Sequence, residues 1–200
     1  MWKAAVVALQ YLLEEQSPLK EILNKATPSS FSCLELGCGL GLPAMLLHRF
    51  HPDSHVVLTD CESLLPQLQQ NLTNNFTNTQ HLQAATLDWE SDEDLANLLV
   101  NCGLSAFDVV LNCDCIYEPL YGESWKSLLK VQIKCLEANP NALVLTSLER
   151  RKFDGADRYL AALREHPLIA KVALVHEEDP VEIYRIYAHS PTNAKKMDNT

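Results

Sequence analysis

The chain has no apolar run approaching the roughly 20 residues that cross a bilayer. Its first residues lack the ordered basic, apolar and cleavable segments of an export signal. A membrane-embedded or exported protein is therefore not expected. Basic residues are sparse: 16 Lys and Arg stand against 26 Asp and Glu, a formal net charge of −10. Phosphate backbones are gripped by basic patches, so a nucleic acid is not the expected partner and a cationic one is favoured. The seven cysteines form an odd set without a C-x-x-C pair. That composition speaks against a disulfide framework and suits reduced thiols in the cytoplasm, with the nucleus as the alternative. Cys113 and Cys115 have no histidine nearby at ligand spacing, so no metal is expected. Glycine is scarce as well, six residues in all, and half of these stand at positions 37, 39 and 41.

Two hundred residues with 47% hydrophobic content suffice for one core of ordinary size. One domain is expected over residues 1–190, its first 26 residues helical and packed on the rest. Residues 191–200 read as a polar, disordered tail. Helical spacing marks Trp2 to Leu13, Leu19 to Asn24, Leu42 to Phe50, Glu62 to Asn74, Asp92 to Cys102, Tyr121 to Ala138 and Asp154 to Glu165. Thr27 to Ser30 reads as a turn. Strands are expected at Phe31 to Leu36, Val56 to Thr59, Leu82 to Leu87, Phe107 to Asn112 and Ala142 to Leu148. The last is a continuous apolar run, as in a strand buried on both faces. The alternation predicts an α/β fold, a Rossmann-like, mostly parallel sheet with helices on both faces. Leu168 to Val175 and Val181 to Ala188 are separated by too few residues for a crossover helix. They should pair antiparallel and close a seven-stranded sheet with a C-terminal hairpin.

The segment Leu34-Glu35-Leu36-Gly37-Cys38-Gly39-Leu40-Gly41-Leu42-Pro43 joins the first strand to a helix. Glycines there permit tight turning and close backbone approach, while the helix N-terminus presents unpaired N–H groups. The spacing is E-x-G-x-G-x-G, from Glu35 to Gly41, rather than the G-x-G-x-x-G of a dinucleotide site. It resembles the loop of class I S-adenosylmethionine-dependent methyltransferases, against which the amino-acid end of the cofactor lies.

In an open α/β sheet, ligands bind at the carboxyl ends of the strands. After the second strand stands Asp60, whose carboxylate is suited to both hydroxyls of a ribose. After the third come Asp88 and Trp89, an acid and a flat ring suited to an adenine amine and face. After the fourth comes Asn112-Cys113-Asp114-Cys115-Ile116-Tyr117, an acid and a phenol beside the expected methyl group. Each has a plainer reading: a tight turn for the glycines, a helix cap for Asp60, core packing for Trp89, and a turn for Asp114 and Tyr117. Their coincidence at successive strand ends favours a cofactor site.

Together these stretches resemble the seven-β-strand protein lysine methyltransferases related to methyltransferase-like protein 21. The matching segments are Trp2-Lys-Ala-Ala, LELGCGLGLP, LTD, LDW and the D-x-x-Y element from Asp114 to Tyr117. The resemblance covers nearly the whole chain. It implies that S-adenosyl-L-methionine is bound, leaving S-adenosyl-L-homocysteine, by Trp2, the backbone around Gly37, Cys38 and Gly39, Asp60, Trp89 and the backbone at Cys113. It further implies that Asp114 and Tyr117 face the lysine of a non-histone protein; a protein substrate with a basic or lysine-presenting surface is expected. Asn112 and Cys113 stand where the family commonly has Gly and Ala. Family members usually carry sequence before the tryptophan, so an element shaping the substrate entrance is expected to be absent or truncated here. Negative charge at that entrance is expected from Glu118, Glu123, Glu149 and Asp154. A histidine, arginine or small-amine acceptor is the second reading, and a non-catalytic binding module keeping the fold is the third.

Overall fold

A computed structural model describes residues 2–24 and 30–190. The turn expected at 27–30, apart from its last residue, and the tail expected at 191–200 lie outside the described residues. The seven strands are β1 (Ser32–Leu36), β2 (His55–Asp60), β3 (Leu82–Thr86), β4 (Val109–Cys113), β5 (Leu143–Glu149), β6 (Ile169–Glu178) and β7 (Val181–Ala188). They form one sheet in the order β3-β2-β1-β4-β5-β7-β6. The first five run parallel, whereas β7 is antiparallel to both β5 and β6. The expected hairpin closure is therefore present. Strand β6 runs further than its apolar pattern, so the turn shrinks to Asp179 and Pro180.

Alternating side chains along the central strands divide between two cores. Leu34, Leu36, Val57, Val110 and Val144 join one; Cys33, Val56, Leu58, Leu111 and Leu145 join the other. The first core is closed by α5 (Asp94–Cys102), α7 (Trp125–Ala138) and α8 (Ala156–Glu165). The second is closed by α1 (Lys3–Leu13), α2 (Leu19–Leu23), α3 (Leu42–Phe50) and α4 (Leu65–Asn75). Buried on both faces, the middle strands need the near-continuous apolar composition read from the sequence.

Two helices depart from expectation. The helix expected from Glu62 opens as a 3-10 turn over Glu62–Leu64, and α4 begins only at Leu65, with Pro66 in its first turn, where a missing N–H costs nothing. The helix expected from Tyr121 is broken. A short α6 (Glu118–Tyr121) ends at Gly122, whose φ of 59° and ψ of −145° suit only glycine, and α7 starts at Trp125.

The sheet order reverses between β1 and β4, since β1 continues leftward to β2 while β4 continues rightward to β5. The crevice beyond the carboxyl ends of these strands is where such a fold binds ligands. Helix α1 reaches it from the side: the buried Ser147 Oγ on β5 donates to the Ala4 carbonyl at 2.9 Å, and Lys3 Nζ reaches the Asp179 carbonyl at 2.8 Å.

Candidate active site

A cavity of about 1150 Å³ opens at this switch point. Trp2, Glu35, Gly37, Cys38, Gly39, Gly41, Asp60, Asp88, Trp89, Cys113 and Asp114 all line it. These residues come from the position just before α1 and from the ends of four strands, far apart in the chain. Tyr117 is not among the lining residues.

All three glycines of the loop have positive φ, from 54° to 77°. Two are also needed for space. A Cβ on Gly37 would lie 2.7 Å from Cys115 Sγ and 3.2 Å from the Trp89 indole, and one on Gly41 would lie 2.2 Å from Leu58 Cδ2. A Cβ on Gly39 would meet nothing, so the loop is open at that point. The Trp89 ring thus seats against the loop, joining the core reading and the cavity reading in one side chain.

Glu35 lines the cavity yet is 1% exposed, and its Oε2 accepts from the Ala44 N–H at 3.0 Å. It ties β1 to the first turn of α3. Burial pushes its carboxyl up to about 8, with the hydrogen bond from Ala44 opposing and the charge of Asp60 reinforcing the rise. Asp60 accepts from the Gly39 N–H at 2.8 Å through Oδ2 and from the Cys61 N–H at 2.7 Å through Oδ1. Each oxygen keeps further lone-pair capacity for a ligand. Asp88 is exposed and accepts from the Glu90 N–H through Oδ1 at 2.9 Å. Asp94, which sequence reasoning passed over, receives the Asp88 N–H at 3.2 Å and Ser91 Oγ at 2.6 Å; these bonds hold its carboxyl below the usual range.

Asp114 adopts φ 60°, a left-handed conformation that Asp tolerates better than most residues. Its N–H donates to the Ser147 carbonyl at 2.8 Å, which fixes the loop after β4 to β5. The carboxylate is buried and accepts three hydrogen bonds: Oδ1 accepts from the Glu149 N–H at 3.1 Å and Arg151 Nη1 at 3.0 Å, and Oδ2 from Arg151 Nη2 at 2.6 Å. The guanidinium of Arg151 also lies 5.4 Å from the Trp2 ring centre and 5.0 Å from that of Tyr117. Tyr117 therefore meets Asp114 through Arg151 rather than inside the cavity. Arg151 was missed because the reading of strand ends stopped at β4; the same rule applied to β5 leads to Glu149-Arg150-Arg151.

The four acids expected to supply negative charge are each engaged with partners. Glu118 pairs with Arg158 and accepts from Trp125 Nε1 at 2.7 Å, and Glu123 pairs with Lys126 and Arg158. Glu149 pairs with Arg151 at 2.9 Å, and Asp154 accepts from the N–H groups of Arg151 and Ala156. Two of these partners are near neighbours in the chain, Lys126 three positions after Glu123 and Arg151 two after Glu149, whereas Arg158 on α8 reaches back 35 and 40 positions to Glu123 and Glu118. Among the described residues no group of three or more His, Cys, Asp or Glu is arranged to hold a metal.

Residues 1–166 match a protein family described as lysine methyltransferase. The chain is 36% identical over 160 residues to secreted RxLR effector protein 48 of Plasmopara viticola, covering 74% of this chain and 80% of that one. It is 28% identical over 166 residues to protein-lysine N-methyltransferase EFM6 of Saccharomyces cerevisiae, covering 77% of this chain and 65% of that one. It is 21% identical over 187 residues to EEF1A lysine methyltransferase 3 of Xenopus tropicalis, covering 93% and 73%. Human methyltransferase-like protein 13, solved in complex with SAH, superposes with a TM-score of 0.57 at 18% identity, over 97% of this chain and 86% of that one.

Proposed function

The chain belongs to the lysine methyltransferase family, and from that premise we propose that it methylates a lysine of a non-histone protein, using S-adenosylmethionine bound in the cavity at the sheet's switch point. The observation that carries this reading is the convergence of eleven separately predicted residues on one cavity. Its volume exceeds the roughly 300–1000 Å³ of ordinary ligand clefts, leaving room for an acceptor side chain beside the cofactor. The residues present fit that group. The open, left-handed turn at Gly39 admits its amino-acid end, Asp60 retains lone pairs for the ribose, and Asp88 with Trp89 offers an acid and a ring to the adenine. Trp2 and the backbone at Cys113 border the remaining wall.

When bound, S-adenosylmethionine supplies a methyl group on a positively charged sulfur. The chain's own residues have to position the acceptor and leave its amine unprotonated. Positioning alone supplies much of the acceleration of such a displacement. Free lysine titrates near pH 10.4, so a neighbouring cation helps and an unpaired carboxylate hinders. Asp114 walls the acceptor end of the cavity, while Tyr117 flanks the entrance through its stack on Arg151. The names of the frog and yeast relatives support a lysine acceptor on a protein, and the frog name supports elongation factor 1A as the first candidate to test. The relative from Plasmopara viticola is named as secreted. For this chain, seven free cysteines support a reducing compartment, and we place it in the cytoplasm.

The test is to incubate the protein with radiolabelled S-adenosylmethionine and a hypomethylated cell lysate, alongside Asp114→Asn. A discrete labelled band that the variant loses, with calorimetric cofactor affinity within a few-fold of wild type, is the expected result. Label in no protein, from a chain that binds the cofactor, would overturn the lysine reading. Equal loss of affinity and turnover would remove Asp114 from the acceptor end.

A further inference from the structure

The feature that the proposed function does not absorb is Arg151. Its guanidinium makes a fork of two hydrogen bonds to Asp114 at 3.0 and 2.6 Å, a third to Glu149 Oε2 at 2.9 Å, and a longer one to the Glu149 carbonyl at 3.4 Å. Its backbone N–H is held by Asp154 Oδ2 at 2.9 Å. Two aromatic rings flank it, Trp2 from just before α1 and Tyr117 from the loop before α6. A planar fork with this many partners is a fixed element of the site rather than a loose surface cation.

This arrangement bears on a conflict in the chemistry. A carboxylate beside the acceptor attracts a lysine ammonium but stabilises its protonated, unreactive form. An opposite charge within about 4–6 Å moves a pKa by roughly 1–3 pH units, enough to slow the reaction tenfold or more near neutral pH. We propose that Arg151 is a positioning residue that offsets the charge of Asp114, so that the acceptor lysine meets a paired carboxylate and reacts as a free amine. The proposal rests on the lysine reading above.

The other groups facing this corner do not substitute for it. From β4 and the loop after it come the thiols of Cys113 and Cys115, which burial pushes up and keeps neutral. From α6 comes Tyr121, raised likewise by burial, and from the loop before it the phenol of Tyr117. The acids are Asp60 at the end of β2, Glu149 at the end of β5 and Asp154 in the next loop. The cation beside Arg151, Arg150, is turned toward Asp157, Asp154 and Glu182. Arg151 is the cation in contact with Asp114, and it is shared with Glu149.

Two readouts test the assignment in Arg151→Gln and Arg151→Lys. The first needs no acceptor: the calorimetric affinity ratio of S-adenosylmethionine to S-adenosylhomocysteine, which differ by the positive charge at sulfur. Arg151→Gln should shift the ratio several-fold toward the charged form, with the neutral form bound within a few-fold of wild type as evidence of folding. The second is the pH profile of label incorporation into the lysate band. Its acidic limb should move up by about one pH unit in Arg151→Gln, while Arg151→Lys keeps both readouts near wild type. A ratio and a limb unchanged in Arg151→Gln would overturn the assignment, as would a Lys variant displaced as far as the Gln variant. Label in no protein with the wild-type chain would instead sink the lysine reading, and the inference with it.

Discussion

At the residue scale, two acids of the cavity show how burial changes what a carboxyl does. Asp60 keeps lone pairs for a ligand, whereas Glu35 is enclosed and serves the join between β1 and α3. Because burial raises Glu35 to about 8 from an ordinary value of 4.5, the folded state holds its proton more tightly than the unfolded chain does. The stability from this group is fully present below about pH 4.5 and is lost as pH rises toward 8. Wild type should therefore lose on the order of 1–3 kcal/mol more stability than Glu35→Gln between pH 6 and pH 8.5. Urea unfolding at the two pH values measures this, and parallel losses in both proteins would refute it. The pairing of Arg151 with Asp114 was illegible at this scale because Asp114 lies on a different strand end. Nothing local to Glu149-Arg150-Arg151 points to a carboxylate so far back in the chain.

At the element scale, the strands were legible because two buried faces demand apolar runs. The interruptions of the helices were harder to read. Gly122 sits among residues of ordinary helical pattern, and only its backbone angles separate α6 from α7. The placement of α1 is also invisible to pattern, since its apolar stripe says that it is covered and not by what. Ser147 decides this, donating from β5 to the first turn of α1 and so holding Trp2 beside Arg151. Ser147→Ala should cost about 1 kcal/mol of stability, the net worth of one hydrogen bond. It should also weaken cofactor binding by loosening the Trp2 wall. Calorimetry alongside thermal unfolding checks both, and undiminished affinity would separate α1 from the site.

At the scale of the whole molecule, a ligand held by α1, the glycine loop and the ends of β2, β3 and β4 couples both halves of the sheet. S-adenosylmethionine at about 100 times its Kd should stabilise the fold by about 2.7 kcal/mol, raising Tm by roughly 5–10 °C for a chain of this size. Asp60→Ala should lose most of that increase at the same concentration; a full increase in the variant would end its proposed role at the ribose. The net charge of −10 belongs to this scale too, although Glu118, Glu123 and Glu149 are paired with Arg158, Lys126 and Arg151.

What the sequence alone determined is set by short-range stereochemistry and by the periodicity of burial. It determined the strand–loop–helix unit around Gly37, Gly39 and Gly41, the parallel strands, the closing hairpin, and which side chains end each strand. Such features depend on backbone angles and on alternation within a few residues, and both are written locally. The tertiary structure alone decided which of those strand ends share a wall. It buried Glu35, paired Asp114 with Arg151, set Tyr117 against Arg151 outside the cavity lining and linked Glu118 to Arg158. Those outcomes are electrostatic and steric meetings between residues tens of positions apart, and they exist only once the sheet order has brought β4, β5 and α1 to one corner.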